Sequence, residues 1–331
     1  MLEKIFFKKI AVQLGITEKQ VEATVTLLDG GATVPFISRY RKEMTNSLDE
    51  VQISNVRDEI ERLRALEKRR EVIMESIESQ GKLTPELIEQ LRAAETLNQL
   101  EDIYLPYKPK RRTRATIARE KGLEPLAELI FKQHKIDLEA EAAQFISEEK
   151  EVKTTEAALD GARDIIAEWI NENAEARETI RNLFKRSATI KSKVLKGKEE
   201  AGEKFKDYFD WEELLMTCPS HRLLAIRRGE SEEVLNIHIA PQESDALDIL
   251  QKQFVLSNTD SSEQVKLAVD DSYNRMMQSS IESEMRMLTK ELADDKAIQV
   301  FADNLRELML ASPLGQKAIL AVDPGFRTGC K

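Results

Sequence analysis

Apolar residues recur every three or four positions along most of the chain, the period of a helix with one buried face. The pattern predicts a first helix over Leu2 to Leu14, broken at Gly15. Thr17, with Gln20 three residues on, makes a capping-box signature for a second helix that runs to Asp29 and ends at Gly30-Gly31. Pro35 suits the first turn of a short helix through Lys42. Ser47 with Glu50 reads as another capping box. Behind it Val51, Val56, Ile60, Leu63, Ile73 and Ile77 hold helical spacing to Gly81, and Thr84-Pro85 opens the next helix. The prolines of Leu105 to Lys110 predict an extended loop. Helices then resume near Ala115 and reach about Lys185.

The period changes after that. Ala188, Ile190 and Val194 sit among polar residues, and Leu223–Ile226 and Val234–Ile239 flank a turn at Gly229. These segments predict a small antiparallel sheet of two or three strands. Beyond Pro241 helix returns: a long one through Val265, Met276, Met285 and Leu292, and a last one carrying Ile298, Phe301, Leu305 and Leu308. The apolar run Ile319–Val322 reads as a final strand. The expected fold is therefore mainly α, multi-helical, with a helix-turn-helix-like start and a small inserted antiparallel sheet. The expected divisions are 1–186 (helical), 187–241 (sheet), 242–316 (long helices) and 317–331 (the first strand of a truncated domain).

Composition supports helix over sheet: 33% of the 331 residues are charged and only 5% aromatic, while 41% are hydrophobic, enough for a core. No apolar run reaches the roughly 20 residues of a membrane span. The N-terminal stretch reads as an amphipathic helix and not a signal peptide. Cys218 and Cys330 lie far apart and form no metal-type pair. The chain is thus expected in the cytoplasm, without disulfides, metal or other cofactor, and away from membranes.

A net charge of −10 argues against wholesale polyanion binding, but the charge is uneven. Lys108, Lys110, Arg111, Arg112 and Arg114 crowd one proline-bounded segment, and Lys191 and Lys193 fall in a second stretch free of acids. These seven residues are the candidate contacts for nucleic-acid phosphate, with a solvated charge run as the bland alternative. A third basic stretch, Val34 to Glu43, has two readings. Arg39, Arg41 and Lys42 touch phosphate, or Phe36 and Ile37 point inward and the arginines pair with neighbouring acids; the second is preferred. The segment Ala11 to Val21 resembles a helix-turn-helix, but Glu18, Glu22 and Asp29 against Lys19 give the second helix an acidic face that repels DNA. His134, His221 and His238 stand at no ligand spacing. The Asp323-Pro324-Gly325 corner resembles the first strand of ribonuclease-H-like nucleases. In-line phosphoryl chemistry needs several carboxylates and two cations, so Asp323 is taken as an isolated remnant and no catalytic residue is assigned.

Several segments taken together resemble the Tex family of bacterial transcription accessory proteins. They are Gly30–Glu43, Leu100–Arg114, Asp207–Glu212, Pro219–Ala225, Asn304–Leu310 and Ala321–Lys331, in order along nearly the whole chain. The family is similar to eukaryotic elongation factors of the same domain order. The resemblance implies a helical N-terminal region followed by a ribonuclease-H-like domain of the YqgF type, helix-hairpin-helix motifs and an RNA-binding OB-fold. It implies partners in RNA or DNA and in the transcription machinery, with RNA held mainly by that last domain. The expected function is a non-catalytic scaffold at the N-terminal side of such a factor. A helix-turn-helix DNA-binding module and a fragment of a metal-dependent nuclease are the alternatives.

Overall fold

The structure, a computed structural model, describes residues 2–109, 111–313, 315–322, 324–325 and 329–330. Lys110 and Asp323 lie outside the described residues. In chain order the helices are α1 (Leu2–Leu14), α2 (Glu18–Asp29), α3 (Val34–Tyr40), α4 (Glu50–Glu78), α5 (Pro85–Ala93), α6 (Leu97–Tyr104), α7 (Arg114–Glu120), α8 (Glu124–Phe131), α9 (Leu138–Ala143), α10 (Thr155–Asn171) and α11 (Ala174–Ser187). Strands β1 (Thr189–Val194) and β2 (Asp210–Leu214) follow, then α12 (Ser220–Ser231), β3 (Leu235–Ala240), α13 (Glu243–Phe254), α14 (Asp260–Asp271) and α15 (Gln278–Met309). A two-residue ladder joins β4 (Pro324–Gly325) to β5 (Gly329–Cys330). The fold is mainly α with one small antiparallel sheet, as the periodicity predicts. No helix is long and apolar enough to cross a membrane among the described residues.

The chain divides into two compact units, Met1–Glu178 with Gln253–Ser272, and Thr179–Lys252 with Tyr273–Lys331. In the first unit α4 is a spine of 29 residues, roughly 43 Å at about 1.5 Å per residue. Its buried face is Ile53, Val56, Ile60, Leu63, Leu66, Ile73 and Ile77. Ile60 and Leu63 close against Phe7, Ile10, Val21 and Val25 of α1 and α2. Ile73 and Ile77 close against Leu87, Leu91, Leu100 and Tyr104 of α5 and α6. Val51, an expected member of this face, is exposed: it lies five residues before Val56, off the stripe, while Ile53, three before Val56, is on it. Its cap is Asp49, whose carboxylate accepts from the Gln52 N–H at 2.8 Å, and not Ser47. Ser47 sits at φ +64, in the left-handed region.

Thr17 and Gln20 form the expected capping box of α2. Gly31 turns the chain into α3 at φ +84, a conformation that costs a residue with a Cβ far more than glycine. Further along, α10 packs on α7, α8, α9 and α14. Gly161 permits that closeness to α7 and α8: a Cβ there would stand 2.3 Å from Leu123 Cδ1 and 3.3 Å from Ala118 Cβ. Asp102 of α6 and Arg177 of α11, each about 5% exposed, pair at 2.7 Å.

In the second unit the sheet order is β2-β1-β3, both pairs antiparallel, with Ser192 opposite Trp211 on one side and Ile237 on the other. Leu223–Ile226, expected as a strand, belongs to α12. Leu223, Ile226 and Gly229 are its buried residues, spaced three apart, so the period is helical. The missing strand is β2. The outer edge of β3 is closed by side chains of α15: the Ile239 N–H donates to Glu282 Oε1 at 2.9 Å, and Arg286 donates to the Ile237 carbonyl.

The two expected C-terminal helices are one, α15, entered from α14 through a π-helical turn over Ser272–Met277. Its first half buries Ile281, Met285, Thr289 and Ala293. Ile298, Phe301, Leu305 and Leu308, spaced as a core-facing stripe, are exposed. Ile319–Val322 forms no strand. Its residues are exposed, and no neighbouring chain among the described residues takes up its backbone groups.

Candidate nucleic-acid interface

The basic segment between α6 and α7 is pinned at both ends and open between. At its start Tyr104 is buried, with its hydroxyl 2.8 Å from Ser76 Oγ and the Arg69 guanidinium 5.7 Å from its ring centre. Leu105–Tyr107 winds one 3-10 turn in place of the extended run expected, because Pro106 at its start has the backbone angle such a turn uses. The Tyr107 carbonyl accepts from Gln80 Nε2 of the segment after α4 at 2.9 Å. At its far end Thr113 caps α7, accepting the Thr116 N–H at 3.0 Å. The Thr113 hydroxyl in turn donates to Glu168 Oε1 of α10 at 3.2 Å. Glu168 is 5% exposed and also takes Arg119 Nη1 at 2.5 Å. A buried carboxylate therefore holds both the end of the segment and the helix it opens.

Lys108, Arg111, Arg112 and Arg114 are all exposed. Arg112 reaches Glu120 at 2.8 Å, a pair open to water on both sides and worth under about 1 kcal/mol, which a phosphate can displace. Arg114 lines a depression with Asp160, Arg163, Asp164 and Asp271, so acids oppose its charge. Lys108 and Arg111 have no ion-pair partner among the described residues.

Lys191 and Lys193 belong to the second unit, on the solvent face of β1. Lys191 pairs with Glu212 across the sheet at 3.1 Å, and Asp210 stands opposite Lys193 in the register. That face is a mixture of signs, a weaker phosphate surface than the loop. Trp211, on the other face, has the Arg222 guanidinium 4.8 Å from its ring centre.

The preferred reading of Val34 to Glu43 is overturned. Ile37 is buried, but Phe36 is 40% exposed and Tyr40 63%. Arg39 and Lys42 are exposed and make no ion pair with any described acid. Val34, Ile37 and Ser38 are the buried residues of α3, and Phe36, about 100° around the helix from Ile37, falls toward solvent. Sequence reasoning missed this aromatic surface; the signal was present in the i, i+4 spacing of Phe36 and Tyr40.

α1 and α2 bury Phe7, Ile10, Val21 and Val25 against α4, so the helix-turn-helix-like segment is a packing unit. Glu18, Lys19, Glu22 and Asp29 face outward. Asp29 accepts two hydrogen bonds from Arg64 at 2.8 Å, which hold its carboxyl below the ordinary carboxylate range. An ionised, acidic outer face does not favour a DNA groove. No three His, Cys, Asp or Glu side chains among the described residues come together as a metal site.

Two family models match the sequence of this mainly helical chain. Residues 4–78 match the Tex-like protein N-terminal domain, and residues 133–301 match the Tex central region-like family. The chain belongs to the Tex family. It is 43% identical over 330 residues to the transcriptional accessory protein Tex of Neisseria gonorrhoeae, covering 97% of this chain and 43% of that one. Protein YhgF of Escherichia coli K12 is 43% identical, covering all of this chain and 44% of its own. The human S1 RNA-binding domain-containing protein 1 is 29% identical, over 93% and 32%. The chain spans less than half the length of these curated relatives.

Proposed function

We propose that this chain is the non-catalytic, helical N-terminal scaffold of a Tex-type transcription accessory factor, and that it contributes a phosphate-contacting loop, Lys108 to Arg114, to nucleic-acid binding by that factor. The observation that carries the reading is the loop itself. Its ends are fixed to α4 and α10 by bonds to Tyr104, Tyr107 and Thr113, while Lys108, Arg111, Arg112 and Arg114 are exposed. A charge run that only solubilises the chain needs no such anchoring; a pre-ordered one meets phosphate without the entropy cost of ordering a flexible segment. The relatives' names, transcriptional accessory protein and S1 RNA-binding domain-containing protein, support the same class of partner.

The test is fluorescence anisotropy of the 331-residue chain with labelled single-stranded RNA and duplex DNA across a salt series. Binding should weaken linearly on a log–log plot. Every phosphate that is no longer neutralised should lower the slope by about 0.7 for a single strand. The variant K108E/R111E/R112E/R114E should flatten that slope by about 2–3 without changing the fold, as exposed substitutions move stability by about 0.5 kcal/mol or less. Absence of salt-dependent binding at low salt refutes the phosphate role and leaves a scaffold.

A further inference from the structure

We infer that α3 and the turn after it form a base-stacking platform for single-stranded nucleic acid, with Tyr40 and Phe36 as its rings and Arg39, Arg41 and Lys42 as its phosphate contacts. The inference rests on the nucleic-acid reading above and assigns to it a second surface with different chemistry.

Five residues of one short segment carry it. The Phe36 and Tyr40 rings lie 5.4 Å apart, tilted by 44°, and both are solvent-exposed. The Arg41 guanidinium sits 5.3 Å from the Phe36 ring centre. That contact holds the planar fork against the ring while part of its N–H edge remains for a phosphate. One of its nitrogens donates to the Tyr40 carbonyl at 3.2 Å. Arg39 and Lys42 are exposed and make no ion pairs to described acids. Three cations within four residues, interleaved with two exposed aromatic rings, are what a sequence-tolerant single-strand binder uses. Every base offers a face to stack and every nucleotide offers a phosphate.

The platform is rigid. Thr33 caps α3 by accepting the Phe36 N–H at 3.4 Å, and Val34 and Ile37 are buried in a core with Leu48 and Ile53. The turn that follows holds Asn46 and Ser47 at φ +50 and +64, and the Asn46 carbonyl accepts from Gln20 Nε2. The backbone that carries the rings therefore needs no ordering before a base arrives. A seven-residue helix presents neither a groove nor an open strand edge for a peptide, and an acidic peptide held by the cations alone offers no base to stack on the rings. Duplex DNA keeps its bases stacked on each other and unavailable to the rings.

The experiment separates stacking from charge. Anisotropy is measured with a labelled 12-nucleotide oligo(dT), an abasic phosphodiester of the same length and a 12-base-pair duplex. The wild-type chain should bind oligo(dT) roughly five- to a hundredfold more tightly than the abasic strand, one or two stacked bases' worth. F36A/Y40A should bring the two affinities together and leave the salt slope unchanged. Circular dichroism should show the same fold, since both rings are exposed. Y40W should widen the ratio. K108E/R111E/R112E/R114E should weaken both strands and keep the ratio. Equal wild-type affinity for oligo(dT) and the abasic strand, or a ratio that survives F36A/Y40A, overturns the platform while leaving the loop reading intact. A ratio that persists when the loop variant binds as well as wild type supports the platform and sinks the loop. No binding to any strand refutes both.

Discussion

Replacing Glu168 by leucine should unfasten the basic loop without unfolding the rest of the protein. Among the contacts of this carboxylate are Arg119 at 2.5 Å, a charged bond worth about 1.5–3 kcal/mol, and Thr113 at 3.2 Å, worth about 1 kcal/mol. Neither donor is stranded by the change. Arg119 is 30% exposed and keeps Glu124 at 3.1 Å, and the Thr113 hydroxyl has Thr116 Oγ1 at 2.9 Å. The full cost of breaking a buried ion pair, about 3–5 kcal/mol, is therefore not reached, and a net loss of about 2–3 kcal/mol is expected. E168Q keeps the shape and one acceptor and should lose about 1–2 kcal/mol. The assay is native-state hydrogen exchange. The amides that open with the α7 N-terminus, Thr116 first, should exchange on the order of 30- to 150-fold faster in E168L, while those of α4 and α15 change little. Oligonucleotide affinity should fall too, because the loop must then be ordered on binding. An unchanged α7 rate, or equal acceleration in α4, would show that Glu168 does not act as the loop's anchor.

Other tests are independent of nucleic acid. Asp29 is held below its ordinary pKa by Arg64, so its contribution is complete above the unfolded value of about 3.9 and disappears as pH falls through the folded one. The urea stability gap between wild type and D29N should be flat above about pH 5, close below about pH 4, and not exceed about 1 kcal/mol, the pair being half-exposed; a gap growing in acid contradicts the assignment. Burial, and then the charge of Glu213, push the Cys218 thiol up to about 11. In a C330S background it should react with a disulfide reagent at pH 8 on the order of a hundredfold more slowly than free cysteine, and a rate within tenfold would refute the burial. F301K/L305K on the exposed stripe of α15 should leave the urea midpoint within about 0.5 kcal/mol and lower the binding of a hydrophobic dye; a larger destabilisation would mean the stripe is packed.

Periodicity located most of the helices, because an amphipathic stripe records the local period whatever lies opposite. It does not record whether anything lies opposite. Ile298, Phe301, Leu305 and Leu308 have the spacing of a buried face and are exposed, and Phe36 reads as a core residue beside Ile37 but is not one. The Leu223–Ile226 run is too short to separate strand from helix until Gly229 is seen to share its buried face. β2 was hidden because its sequence, Asp-Trp-Glu-Glu-Leu, offers only half-buried positions to alternate. The loop's cations were legible as a charge run. Its anchors were not, since Thr113 and Glu168 are 55 residues apart and nothing local links them.

The sealed edge of β3 sets an order of events at synthesis. Glu282 and Arg286 occupy the backbone groups that another strand would otherwise pair, but they emerge from the ribosome after Ala240 by some 40 residues. At about 5–20 residues per second the strand stays open for roughly 2–9 s, long enough to recruit a neighbouring nascent chain. The opposite edge, β2, is five residues long and carries Asp210, Glu212 and Glu213, whose charges repel a second copy of the same strand. Crowding during translation is thus the condition under which this sheet is exposed to misassembly, until the first turns of α15 are made and Glu282 and Arg286 reach the edge.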